Sequence, residues 1–190
     1  MNHFEVFGLD RKLGIDAADL RRRFYELSRQ HHPDFHQAAP ANEQARALET
    51  SARVNTAYRA LRDPIARVEY LVRLEEGREV KTAAPPALLA EMFEIQEALQ
   101  EARTGGLDDA ARATLTDQRA ELTDRHAAEE ARIAGPLSAA WDAAEAGERP
   151  KLLAAFKDAL ARRAYFRTVI DDLTDTLEGS GEGHVAHHRH

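Results

Sequence analysis

Residues 20–34, "LRRRFYELSRQHHPD", decide how the rest of the chain is read. Leu20, Phe24, Leu27 and His31 recur at spacings of four, three and four, which places them on one face of a helix. Asp16 stands upstream as an N-cap, and Asp19 falls in the first turn, where negative charge suits the helix dipole. Pro33 ends the helix, because the residue before a proline is pushed out of the α region. Two histidines, a proline and an aspartate thus sit at the end of a basic helix, in "SRQHHPDFH" (28–36). Such a cluster fits a metal site, an acid–base pair or a surface read by another protein. Acid–base work needs a nucleophile or a substrate-positioning set nearby, and the flanking sequence offers none.

Composition narrows the choice. The chain has 190 residues and a formal net charge of -7, acidic where a nucleic-acid binder is more often basic. It contains no cysteine, which removes disulfides, thiolate nucleophiles, Cys-type zinc sites and self-ligated iron–sulfur clusters. No apolar run approaches the roughly 20 residues that span a bilayer. The opening "MNHFEVFGLD" lacks the basic region and apolar core of a signal peptide. A soluble cytoplasmic protein is expected, with neither a nucleic acid nor a membrane as partner.

Alanine, leucine, glutamate and arginine dominate without alternating β-branched strands, so the fold class is all-α. Phe4, Phe7 and Leu9 form a short apolar opening. After the first long helix, residues 35–42 read as loop. A second long helix runs from about Glu43 to Leu61, with Leu48, Ala52, Asn55 and Leu61 marking its periodic face. Asp63 caps a following helix that has Pro64 in its first turn and ends at Gly77. Residues 77–86, within "GREVKTAAPPA", form a linker. Beyond it the spacing predicts helices over about 87–103, 107–146 with a break at Gly135-Pro136, and 150–178 after the turn "AGERP". Short turns between them suggest an antiparallel three-helix bundle over 87–178. Residues 179–190 form a Gly- and His-rich tail, expected to be disordered.

The order of the pieces over residues 1–76 resembles the J domain of DnaJ-type co-chaperones. Phe4 and "FGL", then "LRRRFYELSRQHHPD", then "NTAYRALRDPIARVEYL" carry the resemblance. It implies that His32, Pro33 and Asp34 dock on a DnaK-type heat-shock chaperone and stimulate its ATP hydrolysis. The physical chemistry suits that role. Pro33 restricts the backbone, Asp34 offers a carboxylate for a partner arginine, and His32 lies where an imidazole can meet the last helix carbonyls or the partner. Arg22 and Arg29 lie opposite Leu20 and Leu27, with Arg21 on a flank, so all three face solvent and can steer docking onto an acidic surface. Tyr25 and Glu26 interrupt the basic run, and Phe35 follows Asp34 where a basic residue is common in that family. A specialised chaperone is therefore expected. His31 is read as packing inward and His36 as an ordinary loop residue.

The helix after the linker has two apolar stripes in "LLAEMFEIQEAL" (88–99). Leu88, Met92, Ile95 and Leu99 make one; Leu89 and Phe93 make another, beside Ala90 and rimmed by Glu94 and Glu97. A bundle helix needs one buried stripe, so the second is either a protein-binding patch or covered by another element. Together with "HFEVFGL" and "SARVNTAYRALRDPIARVEYL", this segment makes the whole chain similar to the HscB family, the iron–sulfur-assembly J-proteins. That resemblance implies a J domain joined to a three-helix bundle that binds an IscU-like iron–sulfur scaffold, while the J domain recruits an HscA-like chaperone. By resemblance Leu89, Ala90, Phe93, Glu94, Glu97 and Phe166 carry scaffold binding. Ala90 replaces a larger apolar residue, which shrinks the patch. Phe166 shares a stripe with Ile170, Leu173 and Leu177, so a core position competes with a binding one.

Such an adaptor need hold neither cluster nor cofactor, and it is not an enzyme. The lack of a cysteine-rich N-terminal extension points to a bacterial protein. His184, His187, His188 and His190 can take up metal adventitiously, but nothing in the sequence orders them, and no metal site is expected. Two alternatives remain open: a J protein whose bundle binds another client or dimerises, and a metalloenzyme built on His32 and Asp34 or on the tail.

Overall fold

The computed structural model describes residues 1–78 and 86–182, with side chains through residue 179. Most of the expected linker and the four tail histidines lie outside the described residues. Eight α-helices occur among the described residues, with no strand: α1 (His3–Val6), α2 (Ala17–Gln30), α3 (Ala41–Arg62), α4 (Pro64–Glu76), α5 (Leu89–Gly105), α6 (Asp109–Arg132), α7 (Ser138–Ala143) and α8 (Arg149–Glu182). The chain is all-α, as its composition requires. No helix among the described residues is long and apolar enough to cross a membrane.

These residues fall within two compact units, Met1–Val80 with Ile133–Phe156, and Lys81–Arg132 with Lys157–His190. This differs from the expected division, in which 87–178 formed one bundle. The segment Ile133–Phe156 belongs to the first unit because its own chemistry is satisfied there. Ile133, Trp141 and Phe156 are buried, with the Trp141 and Phe156 rings 6.1 Å apart. The Asp142 carboxylate accepts the backbone N–H groups of Leu13 and Gly14.

In the first unit the helix ends follow the sequence signals. The Asn2 side chain accepts from the Glu5 amide at 3.0 Å and Glu5 returns the bond, a capping box that starts α1. Asp16 accepts from Ala18 and Asp19 at the start of α2, and Asp63 accepts from Ala66 at the start of α4. Gly77 closes α4 with φ 67°, a left-handed cap that suits glycine. Gly8 has φ 60°, and its neighbour Phe7 gives its carbonyl to Arg23 at 2.8 Å, which ties "FGL" to α2.

The face of α3 is rotated from the expected one. Ala47, Val54, Ala57 and Leu61 are buried, while Leu48, Ala52 and Asn55 are exposed. Small alanines and a polar asparagine leave little amphipathic signal in this helix, and the packing follows Val54 and Leu61.

In the second unit α5, α6 and most of α8 share one core: Leu88, Ile95 and Leu99 from the first segment, Leu115 and Leu122 from α6, and Tyr165 to Leu177 from α8. Arg112 donates to the Leu177 carbonyl and Arg163 pairs with Glu130. Rising numbers on α6 thus meet falling numbers on α8, so these helices are antiparallel. The break expected at Gly135-Pro136 is a π-helical turn over Ile133–Leu137. Pro136 removes a donor there, and the Ser138 hydroxyl donates to the Ile133 carbonyl at 2.7 Å.

Candidate functional site

The loop after α2 is a built turn. His31 caps α2 with φ -111° and ψ 19°, and His32 then swings to an extended φ -67°, ψ 128°, as a residue before proline must. Pro33–His36 forms one turn of 3-10 helix, closed by the Phe35 amide donating to the His32 carbonyl at 3.0 Å. His32 Nδ1 accepts the Asp34 amide at 3.3 Å and lies 3.6 Å from Asp34 Oδ2. His32, Pro33 and Asp34 are all exposed, so the carboxylate points to solvent from a backbone fixed by proline and by a side-chain cap.

Of the two contacts open to His32, the one with the last helix carbonyls is made by another residue. His36 Nε2 donates to the Gln30 carbonyl at 3.2 Å, at the open end of α2. Gln44 at the start of α3 donates from one amide nitrogen to the carbonyls of Gln37 and Ala39, at 3.0 and 2.8 Å. His36 and Gln44 therefore brace the loop from both sides, and sequence reading missed both roles. His31 is half-buried, consistent with its inward face. Among the described residues no group of three or more His, Cys, Asp or Glu side chains is placed to hold a metal ion.

The three expected arginines are all exposed, but their charge is not equally available. Arg22 pairs with Asp19 and with Glu26, the latter at 3.2 Å, and its ordinary pKa is raised by those carboxylates. The same bonds from Arg23 and Arg22 hold the Asp19 carboxyl below its usual range. Arg21 and Arg29 have no acidic partner among the described residues.

On α5 the two stripes separate as their spacing requires. Leu88, Ile95 and Leu99 are buried and Met92 is half-buried; Leu89, Ala90, Phe93, Glu94 and Glu97 are exposed, Phe93 at 68%. Leu89 and Phe93 lie at i and i+4 and form one apolar strip with Glu94 and Glu97 alongside.

Phe166 does not join this surface. It is 3% exposed, sits in the bundle core, and carries the Arg125 guanidinium 4.7 Å above its ring. Arg125 is in turn held by both oxygens of Glu91. The scaffold-contact role expected of Phe166 is corrected on that basis: it is buried in the core together with its heptad partners Leu173 and Leu177.

A capped helical hairpin with a proline-fixed His-Pro-Asp turn defines a J-domain protein, and the DnaJ domain family matches residues 2–70. The chain is 37% identical over 151 residues to a co-chaperone protein HscB homolog of Bordetella petrii, covering 78% of this chain and 85% of the relative. It is 34% identical over 131 residues to the HscB homolog of Vibrio vulnificus, covering 67% and 77%. The chain belongs to the HscB co-chaperone family. Chaperone HscB from Vibrio cholerae has the same fold, with a TM-score of 0.62 at 23% identity over 94% of this chain and 99% of that one. Human co-chaperone protein HscB gives 0.58 at 24% identity, over 92% and 81%.

Proposed function

We propose that this chain is a cytoplasmic, non-catalytic adaptor that brings an IscU-like iron–sulfur scaffold to a specialised HscA-like DnaK-type chaperone and stimulates its ATPase. His32, Pro33 and Asp34 dock on the chaperone, with Arg21, Arg22 and Arg29 steering the approach. Leu89, Ala90, Phe93, Glu94 and Glu97 hold the scaffold, whose cluster is cargo. The chaperone's cycle then favours transfer of the cluster to apoproteins.

The observation that carries this reading is the exposed Asp34 carboxylate on a turn fixed by Pro33 and capped by His32. A carboxylate held in place forms a charge-assisted bond to a partner's guanidinium without first losing loop entropy. The apolar strip on α5 supports the second contact, since a bundle helix whose core stripe is filled has no structural use for an exposed Phe93. ATP turnover by the chaperone, measured with and without the full chain, tests the proposal. Stimulation by the wild type and its loss in Asp34→Asn is the expected result. Unchanged turnover with wild type refutes it.

A further inference from the structure

Residues 21, 25 and 29 recur at spacings of four, so Arg21, Tyr25 and Arg29 fall on one stripe of α2 that leads toward the loop. α2 ends at Gln30, and His32 opens the loop directly beyond the last turn that carries Arg29. Phe35 lies on the same loop, its ring edge-on to the His32 imidazole at 6.0 Å. Tyr25 is 64% exposed and Phe35 71%. A single exposed aromatic needs no explanation, but here one stands a turn before Arg29 on the basic stripe and the other directly follows Asp34 on the turn beyond it. The charge on this surface is also selective. Acidic neighbours occupy Arg22 and Arg23, whereas Arg21 and Arg29, on either side of Tyr25, have none among the described residues.

We infer that Tyr25 and Phe35 are specificity-determining anchors of the docking surface, and that they select a chaperone whose acidic face carries apolar hollows. This rests on the chaperone-docking reading above and adds residues to it. Free guanidiniums ask for carboxylates on the partner, and large aromatic side chains between them ask for pockets that exclude water around the ion pairs. Docking by charge alone weakens steeply with salt, because exposed pairs are screened. Anchored docking keeps the part of its affinity that comes from apolar burial.

The test is ATP turnover by the DnaK-type chaperone titrated with the full chain, at low and high salt. Tyr25→Ala and Phe35→Ala each raise the half-stimulating concentration about tenfold with maximal stimulation retained, and at high salt both weaken further than wild type does. Tyr25→Phe keeps the wild-type titration, since the ring body is the anchor. Asp34→Asn abolishes stimulation and serves as the control for docking itself. Both side chains are exposed, so circular dichroism should match wild type. Unchanged titrations for the two alanine variants, beside a dead Asp34→Asn, overturn the inference and leave the adaptor reading intact. No stimulation by wild type removes both. Self-association of the chain that Tyr25→Ala abolishes assigns the stripe to a second copy and also overturns the inference.

Discussion

Asp142 and Gly14, 128 residues apart, meet at 2.6 Å: the carboxylate accepts the Gly14 amide with one oxygen and the Leu13 amide, at 2.7 Å, with the other. Two amides in the loop before α2 are thus satisfied by a residue far along the chain. Hydrogen bonds to a charged acceptor contribute more than neutral ones, so Asp142→Ala should destabilise the first unit by about 2–3 kcal/mol. The single tryptophan, Trp141, is buried in that unit, so its fluorescence during urea unfolding reports the loss directly. A midpoint equal to wild type would show that water satisfies both amides equally well.

The carbonyl end of Leu13 is held by Arg67. Its guanidinium donates to the Leu13 carbonyl and, at 2.8 Å, to the Leu61 carbonyl, with the side chain buried. Burial lowers its pKa, and the charges of Asp63 and Asp142 oppose that shift. Arg67→Met should cost about 3 kcal/mol, mostly by leaving two buried carbonyls unpaired. Because Arg67 and Asp142 fix one residue from both sides, their effects should not add. A double-mutant cycle should return a coupling of at least about 0.5 kcal/mol. Strict additivity would separate the two contacts.

Much of this is written in local spacing, and some of it is not. The ends of α2 and α4 are set by Asp16, Asp63, Pro64 and Gly77, each acting on residues next to it, and all four are legible. The division of α5 into Leu88, Ile95 and Leu99 against Leu89 and Phe93 follows from the helical period alone. The allegiance of Ile133–Phe156 does not, because periodicity shows that Trp141 and Phe156 need burial but not against what. The Asp142 clamp is invisible for the same reason, since a lone aspartate carries no mark of an amide 128 residues away. His36 and Gln44 were missed because side-chain bonds to carbonyls leave no pattern in a sequence. Phe166 was ambiguous on paper, where a core stripe and a binding stripe look alike. The Arg125 guanidinium over its ring and its burial decide for the core.

Phe93 and Phe166 should therefore respond in opposite ways to the same change. Phe93→Ala removes an exposed ring and should leave urea stability within about 0.5 kcal/mol of wild type. It should weaken scaffold binding at least about tenfold in a calorimetric titration. Phe166→Ala opens a cavity in the bundle and should lose about 3–5 kcal/mol. Far-UV circular dichroism follows both. Equal scaffold affinity for Phe93→Ala and wild type would favour a different client, or a dimer contact, on α5.

Stability of the first unit should also fall in mild acid through His3. Its ring stacks on Tyr70 at 4.2 Å, and its backbone amide donates to the Tyr70 hydroxyl at 2.9 Å. Burial lowers its pKa below the ordinary 6.5, and the charge of Arg73, itself near the Tyr70 ring, lowers it further. The neutral imidazole is thus the form the fold prefers. Between the depressed folded value and 6.5 the unfolded chain binds more protons, so stability rises with pH across that window. The contribution is complete above 6.5 and is lost as pH falls through the folded value. His3→Gln cannot titrate, so its unfolding midpoint, followed by Trp141 fluorescence, should fall less than that of wild type as the pH drops from about 7.5 to about 5.5. Parallel curves for the two proteins would mean that protonated His3 is accommodated in the fold, and that the stack on Tyr70 tolerates the charge.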